Sequence, residues 1–363
     1  MLVNRSSPAL LAALLCLCLF SLPACLNTQE TSVPAHSLLP GPKPPDAPSE
    51  WKRFVGIYEY SNNGKYKRTV IILERDQRPY MHYASGLDQE IRFDFKLRRL
   101  FVPDSVKGSW GYEIVEQPGT AAYFIYMMES FLRTDAGADL SRFYHVNPAR
   151  PVAELRETAL AAKPPTETGP FRNPDLVELT LLDPAFHLDI RYAQSNNFLS
   201  TPVYSQIRAF LQRPAAQALV RVLHKLHPLG YGLLIHDAYR PWYVTKIFWD
   251  ATPPEGKIFV ADPQKGSRHN RGCAIDLTLY DLSTGLPIEM PGLYDEMSPR
   301  SFPNFPGGTS LQRWQRDLLR RAMESEGFTV NEAEWWHFDF KEWRHYAILN
   351  VPFEGLNPSP ARH

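Results

Sequence analysis

Cysteine is scarce in this 363-residue chain, which contains four. Cys16 and Cys18 lie within an apolar N-terminal run, Cys25 follows that run, and Cys273 stands alone in the C-terminal half. Because the first three belong to or border a predicted targeting segment, we expect no intramolecular disulfide. Cys273, which lies among small residues, is interpreted as a small buried hydrophobe.

Excess charge and long apolar runs are also missing. Lys plus Arg and Asp plus Glu both total 39, so we expect no nucleic-acid partner. The run from Leu10 to Leu22 is too short to be assigned as a membrane span. Arg5 before it and the sequence Leu22-Pro23-Ala24-Cys25 after it are typical of a lipoprotein signal. We therefore expect residues 1–25 to be a signal peptide with Cys25 lipidated.

This targeting segment predicts where the protein resides. A lipid on Cys25 would anchor the exported chain to a membrane of the bacterial cell envelope, on its periplasmic or outer face. Pro23 is not the commonest residue at such a cleavage site, so ordinary secretory cleavage is the alternative.

Proline clusters divide the rest of the chain. Residues 26–50 predict a Pro-rich tether, and residues 147–175 predict a linker. Between them, short strand-like runs separated by turn residues over 51–146 predict a small all-β sheet or barrel of unreadable role. Residues 176–355 alternate helical and strand patterns, and 356–363 form a tail.

The elements of this last region predict an α+β fold. Apolar spacing predicts helices over 214–227 and 311–322. The apolar run 232–236 predicts a buried strand that delivers Asp237 and Arg240 at its exit. Helices therefore pack on a sheet that carries the functional residues.

Two short stretches contain residue types that suit one zinc ion. His269 and Asp276 belong to the first, and Glu334 and His337 to the second. Two imidazoles and a carboxylate leave the fourth position of a tetrahedral zinc open for water, and a second carboxylate can take that water's proton.

The residues around Asp276 in the sequence are small or apolar. It shares one face of a strand with Ala274 and Thr278, and its chain neighbours are apolar. A buried carboxylate requires a strong partner. A metal ion would supply it, and a salt bridge to a nearby arginine such as Arg271 is the alternative.

The motifs Ser-x-His-x-x-Gly-x-Ala-x-Asp, ending at Asp276, and Glu-x-x-His, ending at His337, resemble those of the D-alanyl-D-alanine dipeptidases. The vancomycin-resistance-type branch of the family has similar residue patterns, here His-x-x-Gly-x-Ala-Ile-Asp and Glu-Trp-Trp-His-Phe. The resemblance extends over roughly residues 178–352. It includes Asp189-Ile190-Arg191-Tyr192-Ala193, Asn196-Asn197-Phe198, Asp237-Ala238-Tyr239-Arg240-Pro241 and Leu293-Tyr294-Asp295-Glu296.

The resemblance implies roles for individual residues. His269, Asp276 and His337 would bind one Zn²⁺ per chain, and Glu334 would act as general base and then acid. Arg240 would steady the negative oxygen of the tetrahedral intermediate. The alternative for Arg240 is an ion pair with Asp237, and both interpretations are compatible.

The resemblance also implies substrate contacts and a fold. Ser267, Tyr192 and Asp237 are candidate substrate-binding residues, with Tyr294 and Asp295 as weaker candidates. The implied architecture is a zinc D,D-peptidase-like catalytic domain with helices packed on an antiparallel sheet, preceded by the small all-β domain.

The expected activity is zinc-dependent hydrolysis of the D-alanyl-D-alanine dipeptide during cell-wall peptide turnover or salvage. One alternative is a D,D-carboxypeptidase or endopeptidase that acts on longer peptidoglycan peptides. Another is a non-catalytic, zinc-containing wall-binding module. The presence of both Glu334 and Arg240 argues against this module, because neither is needed merely to hold zinc.

Overall fold

The computed structural model of the chain describes residues 35–61, 67–103, 111–115, 123–126, 129–134 and 145–356. The predicted signal peptide with Cys25 and the predicted tail beyond residue 356 lie outside these ranges. Within these ranges, no helix has the length and apolar character needed to cross a bilayer.

The N-terminal half contains a short helix and a nine-stranded antiparallel sheet, here called the β domain. Helix α1 spans Ser49–Lys52. The strands are β1 (Gly56–Ser61), β2 (Lys67–Arg75), β3 (Arg78–Tyr83), β4 (Asp88–Glu90), β5 (Arg92–Asp94), β6 (Arg99–Phe101), β7 (Tyr112–Val115), β8 (Tyr123–Tyr126) and β9 (Glu129–Arg133).

The sheet closes on itself. Its order is β4-β3-β2-β1-β9-β8-β7-β6-β5, so β4 and β5 stand at opposite edges. Only Ile91 separates these two strands along the chain, and it is fully buried. One continuous segment therefore forms both edges of the sheet, as in a small barrel. The interior is filled by buried side chains such as Tyr58, Met81 and Phe124, as expected for a barrel of this size. This agrees with the predicted all-β sheet or barrel.

The C-terminal half is a mixed α and β core. Its helices are α2 (Val152–Ala161), α3 (Leu179–Leu182), α4 (Arg213–Leu226), α5 (Trp242–Ala251) and α6 (Ser310–Glu324). Its strands are β10 (Leu176–Glu178), β11 (His187–Leu188), β12 (Phe210–Gln212), β13 (Tyr231–Asp237), β14 (Ala274–Asp281), β15 (Phe328–Val330) and β16 (His337–Phe340). The 3₁₀ helices of the described chain are Ala35–Leu38, Arg191–Ala193, His227–Leu229, Pro254–Phe259, His269–Arg271, Pro299–Ser301, Trp343–His345 and Phe353–Gly355.

The main sheet of this core has the order β11-β13-β14-β16-β15. β11 and β13 run parallel, and the other neighbours run antiparallel. Helix α4 contacts β13, and α6 contacts β14. The predicted arrangement of helices packed on a largely antiparallel sheet is therefore observed.

Local sequence signals explain the two longest helices. Pro214 occupies the first turn of α4, where its missing N–H costs nothing. Thr309 and Gln312 form a reciprocal capping box at the start of α6. Both helices lie within two residues of their predicted bounds, as does the strand predicted over 232–236.

Two segments predicted to be spacers contain packed residues in the parts that the structure describes, which for the tether are residues 35–50. Leu38 is buried in the core of the C-terminal half, and Ala47 is buried in the β domain. The predicted linker 147–175 contains α2, which packs on α5 and buries Leu155. Proline content misled both predictions, because proline limits backbone geometry without preventing burial of its neighbours.

Candidate metal centre and active site

One row of residues across three neighbouring strands forms the base of the site. Asp237 on β13 pairs with Asp276 on β14, and Asp276 pairs with His337 on β16. Directly opposite residues of antiparallel strands project to the same face. A register shift between Ile235 and Asp237 marks a bulge, and bulges redirect the side chain that follows. Three distant sequence motifs are thereby brought together.

His269 comes from the 3₁₀ helix just before β14. That helix ends at Gly272, which has a φ of 65°. A Cβ at this position would lie 2.4 Å from Leu176 Cδ2, so the turn requires glycine for both backbone conformation and space. The turn directs His269 back over the strand that carries Asp276.

Three buried ligand atoms converge at this point. His269 Nε2 lies 3.0 Å from His337 Nδ1 and 3.3 Å from Asp276 Oδ1. His337 Nδ1 lies 3.0 Å from the same Asp276 oxygen. Ligands on a tetrahedral zinc at about 2.0–2.1 Å stand about 3.3–3.4 Å apart. The triangle therefore has the size that such an ion needs.

Neighbouring groups fix the orientation of each of these side chains. His269 Nδ1 lies 2.7 Å from the carbonyl oxygen of Ala238, and His337 Nε2 lies 3.0 Å from Asp339 Oδ1. The Tyr294 hydroxyl donates to Asp276 Oδ2 at 3.2 Å. Partners of this kind hold the tautomer and the ring angle of metal-binding histidines.

The electrostatics of Asp276 favour a cation. Burial alone would raise its pKa, but the adjacent His269 and His337 hold that pKa well below the usual range. Oδ1 is buried and lacks a hydrogen bond of good geometry, although both imidazole nitrogens are near it. Two imidazole nitrogens and an otherwise unpartnered carboxylate oxygen that face a common point fit a metal ion. His269, Asp276 and His337 are also the one cluster of this kind among the described residues.

The alternative partner proposed for Asp276 is engaged elsewhere. Arg271 Nη2 lies 2.5 Å from Glu167 Oε1, and its Nη1 donates 2.5 Å to the carbonyl oxygen of Tyr346. Arg271 is therefore not the partner of Asp276. The arginine near Asp276 is Arg240, whose Nη2 lies 3.8 Å from Asp276 Oδ2. Cys273 is buried, and burial raises the pKa of its thiol.

Arg240 is held rigidly at the side of the site. Its Nε and Nη2 contact Asp237 Oδ2 at 2.9 and 2.8 Å, and Nη2 lies 3.8 Å from Asp276 Oδ2. Tyr204 donates to the other Asp237 oxygen at 2.7 Å. The guanidinium also stands 4.8 Å from the ring centroid of Phe248. Arg240 is thus both paired with Asp237 and directed toward the ligand cluster.

Glu334 lies beside the cluster as a second carboxylate. Its Oε2 is 3.6 Å from His337 Nδ1 and accepts a hydrogen bond of 3.2 Å from Asn331. Burial raises the pKa of Glu334 to about 7. A carboxyl group with a pKa near neutrality can both accept and return a proton.

These groups face a cleft of about 180 Å³. The cleft is lined by the three ligand residues and by Arg240, Glu334, Ser267, Tyr192 and Asp295, among others. Asp237 is not among its described lining residues, and its carboxylate holds Arg240 instead.

Asp295 places a third carboxylate in the cleft. Tyr192 donates to both of its oxygens, at 3.1 and 2.9 Å. Burial and the nearby charge of Asp276 raise the pKa of Asp295 well above its usual range. The described residues give it no ion-pair partner, so a cation bound in the cleft would favour its ionised form.

The sequence interpretation missed Asp339. This residue follows His337 by two positions on β16, so both side chains project to the same face. The pattern His-x-Asp on a strand was the available signal, because a ligand histidine needs a partner for its second nitrogen.

Comparison with known proteins identifies the C-terminal half. A family model described as D-ala-D-ala dipeptidase, peptidase M15, matches residues 172–352. The D-alanyl-D-alanine dipeptidase of Escherichia coli is 34% identical over 179 residues, which are 49% of this chain and 91% of that protein. The enzyme of the same name from Enterococcus faecalis is 35% identical over 186 residues, 46% of this chain and 87% of the relative. The D-alanyl-D-alanine dipeptidase of Streptomyces coelicolor is 33% identical over 175 residues, which are 43% of this chain and 87% of that protein.

The matched range does not include the N-terminal part of the chain. The β domain and helix α2 precede residue 172, where the family model begins. The ligand cluster, Arg240, Glu334 and the cleft residues all lie within the matched range.

Asp339 provides a test of the metal centre. We expect Asp339→Ala to weaken the affinity for Zn²⁺ by about 10–100-fold, because His337 loses the partner that orients it. Asp339→Asn, which keeps an acceptor but no charge, should give an intermediate value. The affinity is measured by competition with a chromophoric chelator. Glu342→Ala, which removes a carboxylate paired with Arg172, is the control and should match the wild type. Equal affinities for all four proteins would contradict the assignment.

Proposed function

The chain belongs to the D-Ala-D-Ala dipeptidase family of metallopeptidases, and on that basis we propose that it hydrolyses D-alanyl-D-alanine to two molecules of D-alanine. The observation that carries the proposal is a small cleft in which a metal-ligand triad, Glu334, Arg240 and Asp295 face one another. Its volume is about 180 Å³, below the roughly 300–1,000 Å³ of sites for drug-sized ligands. A dipeptide suits this volume better than a long muropeptide.

We propose Zn²⁺ as the metal, held by His269, Asp276 and His337. Nitrogen and carboxylate ligands at tetrahedral separations suit zinc. When bound, Zn²⁺ would lower the pKa of a water ligand to about 7 and polarise the scissile carbonyl.

The chain's own residues would then handle protons and charge. Glu334 Oε2 lies beside the ligand cluster, where it can accept a proton from the attacking water and return it to the leaving amine. The Arg240 guanidinium, fixed by Asp237, offers positive charge where the carbonyl oxygen becomes negative. Its rigidity means that little reorganisation is needed during the reaction.

The cleft provides groups that complement the charged amino and carboxyl ends of the dipeptide. Asp295 can accept a hydrogen bond from the substrate ammonium, whose positive charge would favour the ionised form of this buried carboxyl group. Ser267 Oγ accepts the backbone N–H of His269 at 3.2 Å and faces the cleft. Its hydroxyl hydrogen can therefore be donated to the substrate carboxylate.

Export and membrane anchoring are part of the proposal. The support comes from sequence alone: the apolar run Leu10 to Leu22 and the motif that ends at Cys25. An enzyme on the outer side of a membrane would meet dipeptides released from the cell wall. We therefore propose a role in turnover or salvage of wall peptides.

Catalysis is tested by removing the metal or the base from the soluble chain that starts after residue 25. We expect D-alanine release from D-Ala-D-Ala to disappear with a chelator and to return with added Zn²⁺. Glu334→Gln should lower kcat by about 10²–10⁴-fold while the bound zinc is retained, because only the proton acceptor is lost. The neighbouring exposed Glu332 gives the matched control, Glu332→Gln, which should keep full activity.

A D-Ala-D-Ala-terminated pentapeptide is assayed in parallel. Turnover of the pentapeptide alone would instead indicate a D,D-carboxypeptidase. Zinc binding without turnover of either substrate would favour the non-catalytic wall-binding module.

Recognition of the ammonium group by Asp295 makes a separate prediction. Asp295→Asn should raise KM by roughly tenfold or more with little change in kcat, because a charged hydrogen bond of about 1.5–3 kcal/mol is lost from the bound states. The wild type should prefer D-Ala-D-Ala over its N-acetyl derivative, and the variant should lose that preference. Asp281→Asn, at the end of β14 and outside the lining of the cleft, is the control. An unchanged preference in Asp295→Asn would contradict this role.

The anchor is tested by cell fractionation. The full chain should be found in the membrane fraction and carry a lipid, whereas Cys25→Ser should be released as a soluble exported protein. Cys16→Ser, within the predicted signal, should fractionate like the wild type. A soluble wild type would show that the signal is simply cleaved.

A further inference from the structure

One wall of the cleft is formed by a segment whose two ends both contact the β domain. The segment, residues 289–310, connects the region after β14 to the start of α6. Asp295 and Met297 from its middle line the cleft. The β domain itself contributes no residue to the described lining of the cleft.

The first end is held by an ion pair. Lys52 Nζ on α1 lies 2.9 Å from Glu289 Oε2 and 3.0 Å from Asp46 Oδ1. The Glu289 side chain is 54% exposed, so solvent weakens this contact. It marks the approach of the segment to the β domain but contributes little stability.

The second end is held by buried backbone and carboxylate contacts. Leu73 of β2 forms a parallel bridge with Gly308, and the Glu74 N–H donates to the Gly308 carbonyl at 3.1 Å. The Glu74 side chain is fully buried, and its Oε2 accepts the N–H of Ser310 at 2.5 Å. Ser310 is the first residue of α6, where a negative charge is favoured by the unpaired N–H groups and the helix dipole.

Arg313 closes the same junction from the side of α6. Its Nη2 donates to the Glu74 carbonyl at 2.7 Å, and its Nη1 donates to the Gly308 carbonyl at 2.8 Å. Glu74 also accepts the N–H of Gln77 at 2.7 Å through Oε1. Both oxygens of one buried carboxylate therefore tie the turn of the β domain to the start of α6.

A continuous set of contacts leads from this junction to Asp295. Pro291 lies against Gly308, where an added Cβ would come within 3.2 Å of the Pro291 Cβ. Arg300 donates to the Pro291 carbonyl at 2.8 Å and lies 3.6 Å from the buried carboxylate of Glu296. Glu296 is the residue directly after Asp295.

Glu296 in turn fixes the local backbone. Its carboxylate accepts the N–H of Leu293 at 2.8 Å and the hydroxyl of Ser298 at 2.6 Å. Asp295 has a φ of 58°, a conformation that a non-glycine residue keeps only when its surroundings impose it. The position of Asp295 thus depends on how the whole segment is held.

We propose that the β domain positions one wall of the substrate site: Glu74 is a positioning residue that fixes segment 289–310 and thereby places Asp295 for the substrate ammonium. This proposal rests on the proposed function, in that Asp295 binds the dipeptide. It assigns a role to a domain that lies outside the family match.

The test uses the soluble chain that starts after residue 25 and two independent readings. Glu74→Gln replaces a carboxylate by an amide whose single oxygen can serve only one of the two N–H donors, Ser310 and Gln77. We expect KM for D-Ala-D-Ala to rise roughly tenfold with kcat within about twofold, as for a loss of uniform substrate binding. Amide hydrogen exchange over residues 291–301 should accelerate, and zinc content should be unchanged.

Ser310→Pro approaches the same hydrogen bond from the other side. Proline is tolerated at the first position of a helix, and it removes the N–H that Glu74 accepts. It should reproduce both effects, and it takes the place of Glu74→Gln if that variant does not fold. Glu129→Gln, which alters a carboxylate paired with Arg68 inside the β domain, is the control and should change neither reading.

The exchange reading separates the two proposals. If the wild type does not hydrolyse D-Ala-D-Ala, the proposed function fails, while faster exchange over 291–301 would still support the positioning role. Unchanged exchange there and an unchanged KM in both variants would overturn it.

Discussion

The site depends on how a buried carboxylate is compensated. Asp276 lies on a central strand between two imidazoles, where it is shielded from water. A negative charge buried at such a position costs free energy unless a cation lies beside it. Neighbouring groups orient the side chains around it. The Ala238 carbonyl contacts the His269 ring, Asp339 contacts the His337 ring, and the Tyr294 hydroxyl donates to the second oxygen of Asp276. The sheet supplies the rigidity that keeps these donors converged on one point.

Around this point the carboxylates have distinct environments. Asp276 has its pKa lowered by the adjacent imidazoles, whereas Glu334 and Asp295 have theirs raised by burial. Separation of this kind lets chemically similar side chains take different roles in one cleft. A ligand, a proton acceptor and a partner for an ammonium group can thus lie together.

The sequence predicted much of the C-terminal half, since long helices and a buried strand have strong periodic signals. The ligand residues were named from motifs, and the structure brings all three within 3.3 Å of one another. What the sequence could not provide were contacts between distant segments. The pairing of Arg271 with Glu167, the orienting role of Asp339 and the burial of Leu38 depend on tertiary packing. The hydrogen bond between Glu74 and Ser310 joins residues 236 positions apart, so no local sequence pattern predicts it.

The packing of Leu38 and Leu155 has a consequence for where the chain can be cut. Both residues belong to the same hydrophobic core as the main sheet, yet they precede the range that the family model matches. The region that packs as one core is therefore larger than the matched range. A chain trimmed to that range would expose apolar surface where these two side chains now pack.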